Sequence, residues 1–255
     1  MQLDVVTLFP EWFDWFRSQR HVANAMAGGH EVRALNPREH TPLSGGQVDD
    51  TPFGGGAGMV LRVDVMDAAL RGFYGLDPVD LRKERRVLAL TPGGRMLDDH
   101  FVDELAAEPA VTLLCGRYEG FDERIVQHFA SDAVSIGRYV LSGGELAAAV
   151  VVDAVARLQE GALNDAESAS QDSFDEDGLL DCPHYTRPLE HALGTVPEVL
   201  LSGNHAAIAR WRRQQALGRT WLRRPDLVDR EALPAADRAL LEAFLRDDDE
   251  EKTPL

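Results

Sequence analysis

Ser135-Ile136-Gly137-Arg138-Tyr139-Val140-Leu141-Ser142-Gly143-Gly144-Glu145, with Cys115-Gly116-Arg117-Tyr118-Glu119-Gly120 upstream, decides the reading of this 255-residue chain. Each glycine-bearing turn follows a short apolar run of strand type, at residues 110–114 and 133–136. Turns on successive parallel strands converge at the carboxyl edge of an α/β sheet, where such sheets hold their ligands. Glycine there lets backbone N–H and C=O groups come close to a ligand. Ser142-Gly143-Gly144-Glu145 also has the S-x-x-E spacing of a capping box, so a helix is expected to open at Ser142. One such turn is an ordinary strand-to-helix connection. Two elaborate turns on successive strands point to a shared site.

Outward from these turns, the first two-thirds of the chain alternates strand and helix patterns. Strands are expected at 3–9, 86–91 and 110–115, and helices after Pro10, around 63–73, from Asp98 and from Asp122. That alternation implies a mainly parallel sheet with helices on its faces, the α/β class. Residues 142–160 form the longest helix candidate. Its run Leu146-Ala147-Ala148-Ala149-Val150-Val151-Val152 is apolar on every side, which suits a helix buried all round or packed into a subunit interface. After Gly161 the apolar signal stops, and residues 164–178 are acidic and rich in Ser and Ala, the composition of a linker or active-site loop. The last third reads as helical, with Asn204 as an N-cap, Gly218 as a C-terminal stop and Leu240, Leu241, Phe244 and Leu245 as one apolar stripe. The expected division is a sheet domain at 1–162, a linker at 163–180, a small helical domain at 181–246 and a disordered acidic tail at 247–255.

No stretch approaches the length of a membrane span, and Met1-Gln2-Leu3-Asp4 lacks the basic start of a signal peptide. A soluble, cytoplasmic protein with no membrane partner is expected. Cys115 and Cys182 stand far apart without a second cysteine at ligand spacing, so reduced thiols are expected, with no disulfide and no metal site. The formal charge of −17 argues against a nucleic-acid partner, but net charge is not local charge. Arg210, Arg212, Arg213, Arg219, Arg223 and Arg224 follow one another with no acidic residue among them, interleaved with Trp211 and Trp221. That segment either holds a polyanion or forms the solvated face of an amphipathic helix.

Gly54-Gly55-Gly56-Ala57-Gly58 has no Lys-Ser or Lys-Thr pair after it, which excludes a nucleotide-binding P-loop. The loop is expected to let RNA or a partner subunit approach the backbone. No G-x-G-x-x-G follows the first strand, which argues against a Rossmann oxidoreductase. His184 and Tyr185 beside Asp181 read as loop anchors, because no second histidine stands at ligand spacing.

Further motifs extend the pattern: Leu8-Phe9-Pro10, Val48-Asp49-Asp50, Gly54-Gly55-Gly56, Thr91-Pro92-Gly93-Gly94-Arg95, Asp172-Ser173-Phe174, Leu179 through Pro188 (LLDCPHYTRP), Leu201-Ser202-Gly203-Asn204-His205 and Leu217 through Pro225 (LGRTWLRRP). In order and spacing these span nearly the whole chain, and the chain so read resembles the bacterial tRNA (guanine-N1)-methyltransferase family, knotted enzymes of the SPOUT class. The resemblance implies a parallel sheet with a deep trefoil knot, a small C-terminal helical domain that binds tRNA, and a homodimer. It implies methyl transfer from S-adenosylmethionine to N1 of the guanine immediately 3′ of the anticodon. Cofactor contacts then fall on Thr91, Pro92, Gly116, Tyr118, Ile136, Gly137, Arg138, Tyr139, Val140, Leu141, Gly143 and Gly144.

Guanine N1 carries a proton at neutral pH, so methylation there needs a base to remove it and a cation to meet the charge that develops toward O6. The resemblance puts the base at Asp172 and the cation at Arg157, with Asp172 supplied across the dimer interface. Read alone, Asp172 is one acid in an acidic loop. Arg157 alone is a helix-end charge complementing the macrodipole. Glu119 is a third catalytic candidate, a carboxylate facing the sulfonium or an Mg2+ ion, or else one that bonds N–H groups of its own turn. Arg138 replaces the family's usual acidic residue, and Phe53 and Ala57 replace its usual Tyr and Pro. The rival from another class is a non-catalytic RNA-binding protein that kept the SPOUT fold.

Overall fold

The computed structural model describes residues 1–163, 172–174 and 178–251, with backbone alone at 248–251. Most of the acidic linker expected at 163–180 and the last four residues of the tail lie outside the described residues. The chain divides into two compact units, Met1–Ala166 and Glu167–Leu255.

In the first unit the order is β1 (Gln2–Val6), α1 (Trp12–Arg17), α2 (Arg20–Ala27), β2 (Glu31–Leu35), β3 (Asp49–Asp50), β4 (Val60–Leu61), α3 (Val63–Tyr74), α4 (Pro78–Glu84), β5 (Arg86–Met96), α5 (Asp99–Ala106), β6 (Ala110–Cys115), α6 (Glu123–His128), β7 (Asp132–Ser135) and α7 (Glu145–Arg157). Five strands form one sheet in the order β2-β1-β6-β5-β7, every neighbour parallel. The period-2 alternation of a strand divides its side chains between two faces. Leu3, Val5, Leu88 and Leu113 meet Phe13, Val22, Phe101, Leu105, Val151 and Val155 on one face. Val6, Val87 and Leu114 meet Met66, Leu70, Leu81 and Ile125 on the other. Both faces are covered, which is why these strands read as continuous apolar runs. Side-chain caps start the helices where aspartates announce them: Asp77, Asp98 and Asp122 accept from the N–H groups of Val79, Phe101 and Arg124.

A charge is buried inside this sheet. Asp4, fully buried, accepts two bonds of 2.7 Å from Arg33 and one of 2.8 Å from the Tyr74 hydroxyl, and Arg85 stands 2.8 Å away. Isolated, such a carboxylate would destabilise the fold by several kcal/mol; with both arginines and a hydroxyl it is compensated. Burial, with the Asp4 charge next, pushes the Tyr74 phenol above its ordinary range.

β5 runs further than the sequence suggests. Leu90 and Arg95 both register on Val134, so residues 91–94 leave the ladder and return to it. The return is tight, and a Cβ on Gly94 would overlap the Ala133–Val134 peptide. Thr91 and Pro92 are thereby presented at the carboxyl edge.

α7 departs from expectation in two ways. It starts at Glu145 with Gly144 as its N-cap and no side-chain cap, so the capping box from Ser142 does not form. The reason is that the Glu145 carboxylate turns inward and accepts from the Thr7 hydroxyl at 2.9 Å. Of the two environments expected for α7, burial all round or a subunit interface, the first does not hold: Leu146 and Val150, one helical turn apart, are 54% and 45% exposed, while Ala148, Val151, Val152 and Val155 are fully buried.

In the second unit, β8 (Glu190–His191) and β9 (Gly194–Thr195) form an antiparallel pair, followed by α8 (His205–Arg223) and α9 (Ala235–Glu251). Two-residue strands carry no periodicity, so this part of the chain read as helical. Asn204 caps α8 as expected, accepting from Ala207 N–H at 3.1 Å. Gly218 does not stop it. The helix continues through a buried Gly218, whose missing Cβ leaves room for the Phe244 ring of α9, so the glycine serves close helix packing. α9 also passes Asp247, the expected start of disorder, and continues as helix through Glu251.

Candidate functional site

The two glycine turns meet. Gly144 N–H donates to Gly116 O at 2.8 Å, and Arg117 and Gly143 pair as an isolated antiparallel bridge. A Cβ on Gly144 would lie 2.7 Å from Cys115 Cα, so only glycine permits this crossing. Between the turns and the 91–94 excursion opens a cleft of about 330 Å³ at the carboxyl edge of β5, β6 and β7. Its walls combine glycine-rich backbone and apolar side chains with the polar residues Thr91, Arg117, Glu119, Glu123, Ser135 and Ser142. The 135–139 turn is held from within: Ser135 Oγ accepts from Gly137 N–H at 3.3 Å, and the Tyr139 hydroxyl donates to Ile136 O at 3.2 Å. Tyr118 takes the left-handed backbone at φ 60°, which fits a strained turn at a ligand site.

Of the residues proposed for the cofactor, Thr91, Pro92, Gly116, Tyr118, Ile136, Gly137, Tyr139, Val140, Leu141, Gly143 and Gly144 line this cleft together with Glu119. Arg138 is exposed and is not among the lining residues. The loop ending at Gly58 packs on the same wall: Glu119 N–H donates to Met59 O at 2.9 Å, and Leu61 N–H to Gly120 O at 3.0 Å. Gly58, at φ 83°, has the Glu119 carboxylate where a Cβ would stand. Gly58 thus lies against the Glu119 turn of its own chain, while Gly54 and Gly55 face open space.

Arg157 lies elsewhere. It occupies the last turn of α7, whose first turn borders the cleft, and a rise of 1.5 Å per residue separates the two ends by roughly 18 Å. Asp172 belongs to the second unit. The two residues after it are anchored there: Ser173 Oγ accepts from Asp181 N–H at 3.0 Å, Phe174 N–H donates to Leu179 O at 2.7 Å, and the Arg224 guanidinium stands 5.9 Å from the Phe174 ring centre. Leu180 N–H donates to the buried Thr220 hydroxyl of α8 at 2.9 Å.

The arginine segment is only partly available. Arg213 is paired with Asp237 at 2.7 Å and Arg224 with Asp226 at 2.7 Å, acids that lie outside the basic run in sequence. Arg210, Arg212 and Arg223 are exposed and make no ion pair among the described residues. Tyr185 packs near Trp211, ring centres 6.3 Å apart. Three side chains of metal-binding type, Asp181, Cys182 and His184, lie together in this unit. Asp181 joins them, its Oδ2 standing 2.6 Å from His184 Nε2 and its Oδ1 accepting from the Cys182 backbone N–H, while burial and then the Asp181 charge push the Cys182 thiol up.

Sequence reasoning missed Arg117 and Glu145 as a pair, and Thr7 beside them. Glu145 Oε2 stands 3.1 Å from Arg117 Nε, and the Arg117 guanidinium lies 4.3 Å from the Phe9 ring centre and 5.6 Å from that of Trp12. Burial, then the Glu145 charge, push the Cys115 thiol well above its usual range, with Arg117 opposing. The available signal was a glutamate opening an otherwise apolar helix.

A backbone-walled cleft at the carboxyl edge of a parallel sheet, together with a separate, mainly helical unit that carries the basic helix α8, defines an α/β ligand-binding protein of two-unit design. Residues 1–230 match the family described as tRNA (Guanine-1)-methyltransferase TrmD. The chain is 54% identical to a tRNA (guanine-N(1)-)-methyltransferase of Xanthomonas oryzae pv. oryzae, over 97% of this chain and 95% of the relative. It is likewise 54% identical to one from Stenotrophomonas maltophilia, over 95% of each chain. This chain belongs to the tRNA (guanine-N1)-methyltransferase family. No helix among its described residues is long and apolar enough to cross a membrane.

Proposed function

We propose that this protein transfers a methyl group from S-adenosylmethionine to N1 of the guanine immediately 3′ of the anticodon in tRNA. The observation that carries the reading is the 54% identity to enzymes named for guanine-N1 methylation, sustained over 97% of the chain. The cleft supports it. Glycines at 116, 137, 143 and 144 leave backbone groups close to any occupant, as an adenine ring requires for its edge hydrogen bonds, and the space suits a small cofactor. S-adenosylmethionine would supply the electrophilic methyl group. In the family's manner, the three loops around 91–94, 116–120 and 136–144 would form a trefoil knot.

Asp172 acts as the base in this proposal, accepting the N1 proton, and Arg157 meets the charge that develops at O6. The cleft and Arg157 sit at opposite ends of α7, so one chain by itself keeps them apart. In the proposed homodimer one copy contributes the cleft and its partner Asp172 and, with it, Arg157, which removes that difficulty. The exposed Leu146 and Val150 of α7 supply an apolar face for the contact. An Mg2+ ion would find Glu119 and Glu123 on the cleft wall and, with few other carboxylates there, would keep several waters.

The deciding experiment incubates the protein with labelled S-adenosylmethionine and tRNA transcripts and maps the modified base. Label at guanine N1 next to the anticodon is expected. Retention of tRNA without methyl transfer or cofactor heat would favour the non-catalytic RNA-binding alternative.

A further inference from the structure

We propose that Glu145 is a positioning residue for the cleft, acting through Arg117 to hold that guanidinium out of the space the cofactor would take. The inference rests on the reading of the cleft given above.

Glu145 is 1% exposed, an acid in the core at the start of an apolar helix. Its Oε1 accepts from the Thr7 hydroxyl at 2.9 Å, which ties it to the end of β1. Its Oε2 lies 3.1 Å from Arg117 Nε, yet both atoms are buried and neither completes an aligned hydrogen bond. The attraction between them is therefore of charge more than of geometry. The first turn of α7 adds its dipole in favour of the carboxylate.

Arg117 lines the cleft, but its guanidinium is directed to the aromatic rings of Phe9 and Trp12, with Nη1 reaching Ser142 O at 3.4 Å. Gly143 completes the arrangement, because a Cβ there would occupy the space where Arg117 Nε and Glu145 Oε2 meet. Three segments that border the cleft, the 115–120 turn, the 142–144 turn and the start of α7, thus converge on one ion pair. Removing only the negative partner leaves a cation in a low-dielectric wall, a costly state that side-chain rotation relieves. The open polar space within reach of Arg117 is the cleft that it lines. A cation swung there would meet the sulfonium of the cofactor.

Glu145→Gln keeps the shape and the acceptor for Thr7 but removes the charge. By isothermal titration, S-adenosylhomocysteine and S-adenosylmethionine should bind it at least tenfold more weakly than wild type, the loss being greater for the cationic S-adenosylmethionine. Adding Arg117→Met should restore affinity to within about threefold of wild type, because no guanidinium remains to enter the cleft. Purely architectural roles would lower thermal stability while leaving the affinity of folded protein unchanged, or would make the double variant worse than the single. Either result overturns the proposal. If Glu145→Gln does not fold, the double variant decides alone, since removing both charges is tolerated where removing one is not. Near-wild-type affinity then supports the proposal and a loss beyond tenfold rejects it. Titration of wild type tests the cofactor reading separately. Should wild type bind neither ligand, the Arg117 Nε–H resonance still tests the link, protected from exchange in wild type and lost in Glu145→Gln; its persistence in the variant would overturn the pairing.

Discussion

The cleft of the first unit is built from backbone, whereas the basic face of the second is built from the ends of long side chains. In the cleft, Gly144 and Gly116 bring two loops within a hydrogen bond of each other, and almost any added atom collides. On α8, Arg210, Arg212 and Arg223 stand exposed, and a substitution there removes a charge without moving its neighbours. A backbone site is rigid and intolerant; a charge site is graded. The proposed chemistry needs both, because a cofactor is held by shape and a polyanion by summed potential.

The largest effect is expected at Asp172, the proposed base, which belongs to the second unit. Asp172→Asn keeps the shape of the side chain but removes the proton acceptor, so single-turnover methyl transfer should fall by roughly 10²-fold or more. Cofactor and tRNA binding should change little. Arg157→Ala should also slow the chemical step, and the two losses should combine to less than their product if both act on one transition state. A near-wild-type single-turnover rate for Asp172→Asn across the pH range would remove it as the base.

Next comes the rigidity of the cleft. In Gly144→Ala the new methyl meets Cys115 backbone rather than a flexible side chain, so relief requires the two turns to separate. Overpacking of this kind costs about 1–3 kcal/mol. Because the strain falls on the cleft wall, cofactor affinity should drop by about tenfold or more, as titration would read. Unchanged affinity would mean that the crossing of the turns does not shape the site.

How much of this was legible follows from the same contrast. Glycines announce backbone crossings, so the turns at 115–120 and 135–145 could be read from the chain, and of the cofactor residues that the family resemblance implied all but Arg138 line the cleft. Apolar runs announced the sheet, because both of its faces are covered. What could not be read was pairing at a distance. The acids that occupy Arg213 and Arg224 lie at Asp237 and Asp226, outside the basic run, and Thr7 lies far in sequence from Glu145. Ser142 and Gly218 misled for a related reason. Each carried a local signal, a cap and a stop, that tertiary packing overrode.

That pairing refines the expectation for RNA. Counterion release makes the salt dependence of binding a count of phosphate contacts, about one per contact in the logarithmic slope. Replacing Arg210 and Arg223 together by alanine should flatten the slope by up to about two and weaken tRNA binding several-fold at moderate salt, with cofactor affinity unchanged. Replacing Arg213 and Arg224 should flatten it less, since Asp237 and Asp226 already offset their charge. Equal slopes for both pairs would mean that tRNA displaces these acids. An unchanged slope for Arg210 and Arg223 would remove α8 from the RNA interface.

The smallest functional effect is expected where the second unit borrows the logic of the first. Gly218 sits inside α8 with the Phe244 ring against it, a backbone contact within a region otherwise governed by charge. Two terms compete in Gly218→Ala. Helix propensity favours alanine by about 1 kcal/mol. The added methyl occupies the Phe244 position and forces the ring to move, at about 1–3 kcal/mol for overpacking. The second term is the larger, so the variant should melt at lower temperature than wild type. Cofactor affinity should remain unchanged, because the cleft belongs to the other unit. A raised melting temperature would show that α9 yields readily and that helix propensity dominates. A loss of cofactor affinity would mean that the two units are coupled energetically, which the contrast between a backbone site and a charge site does not require.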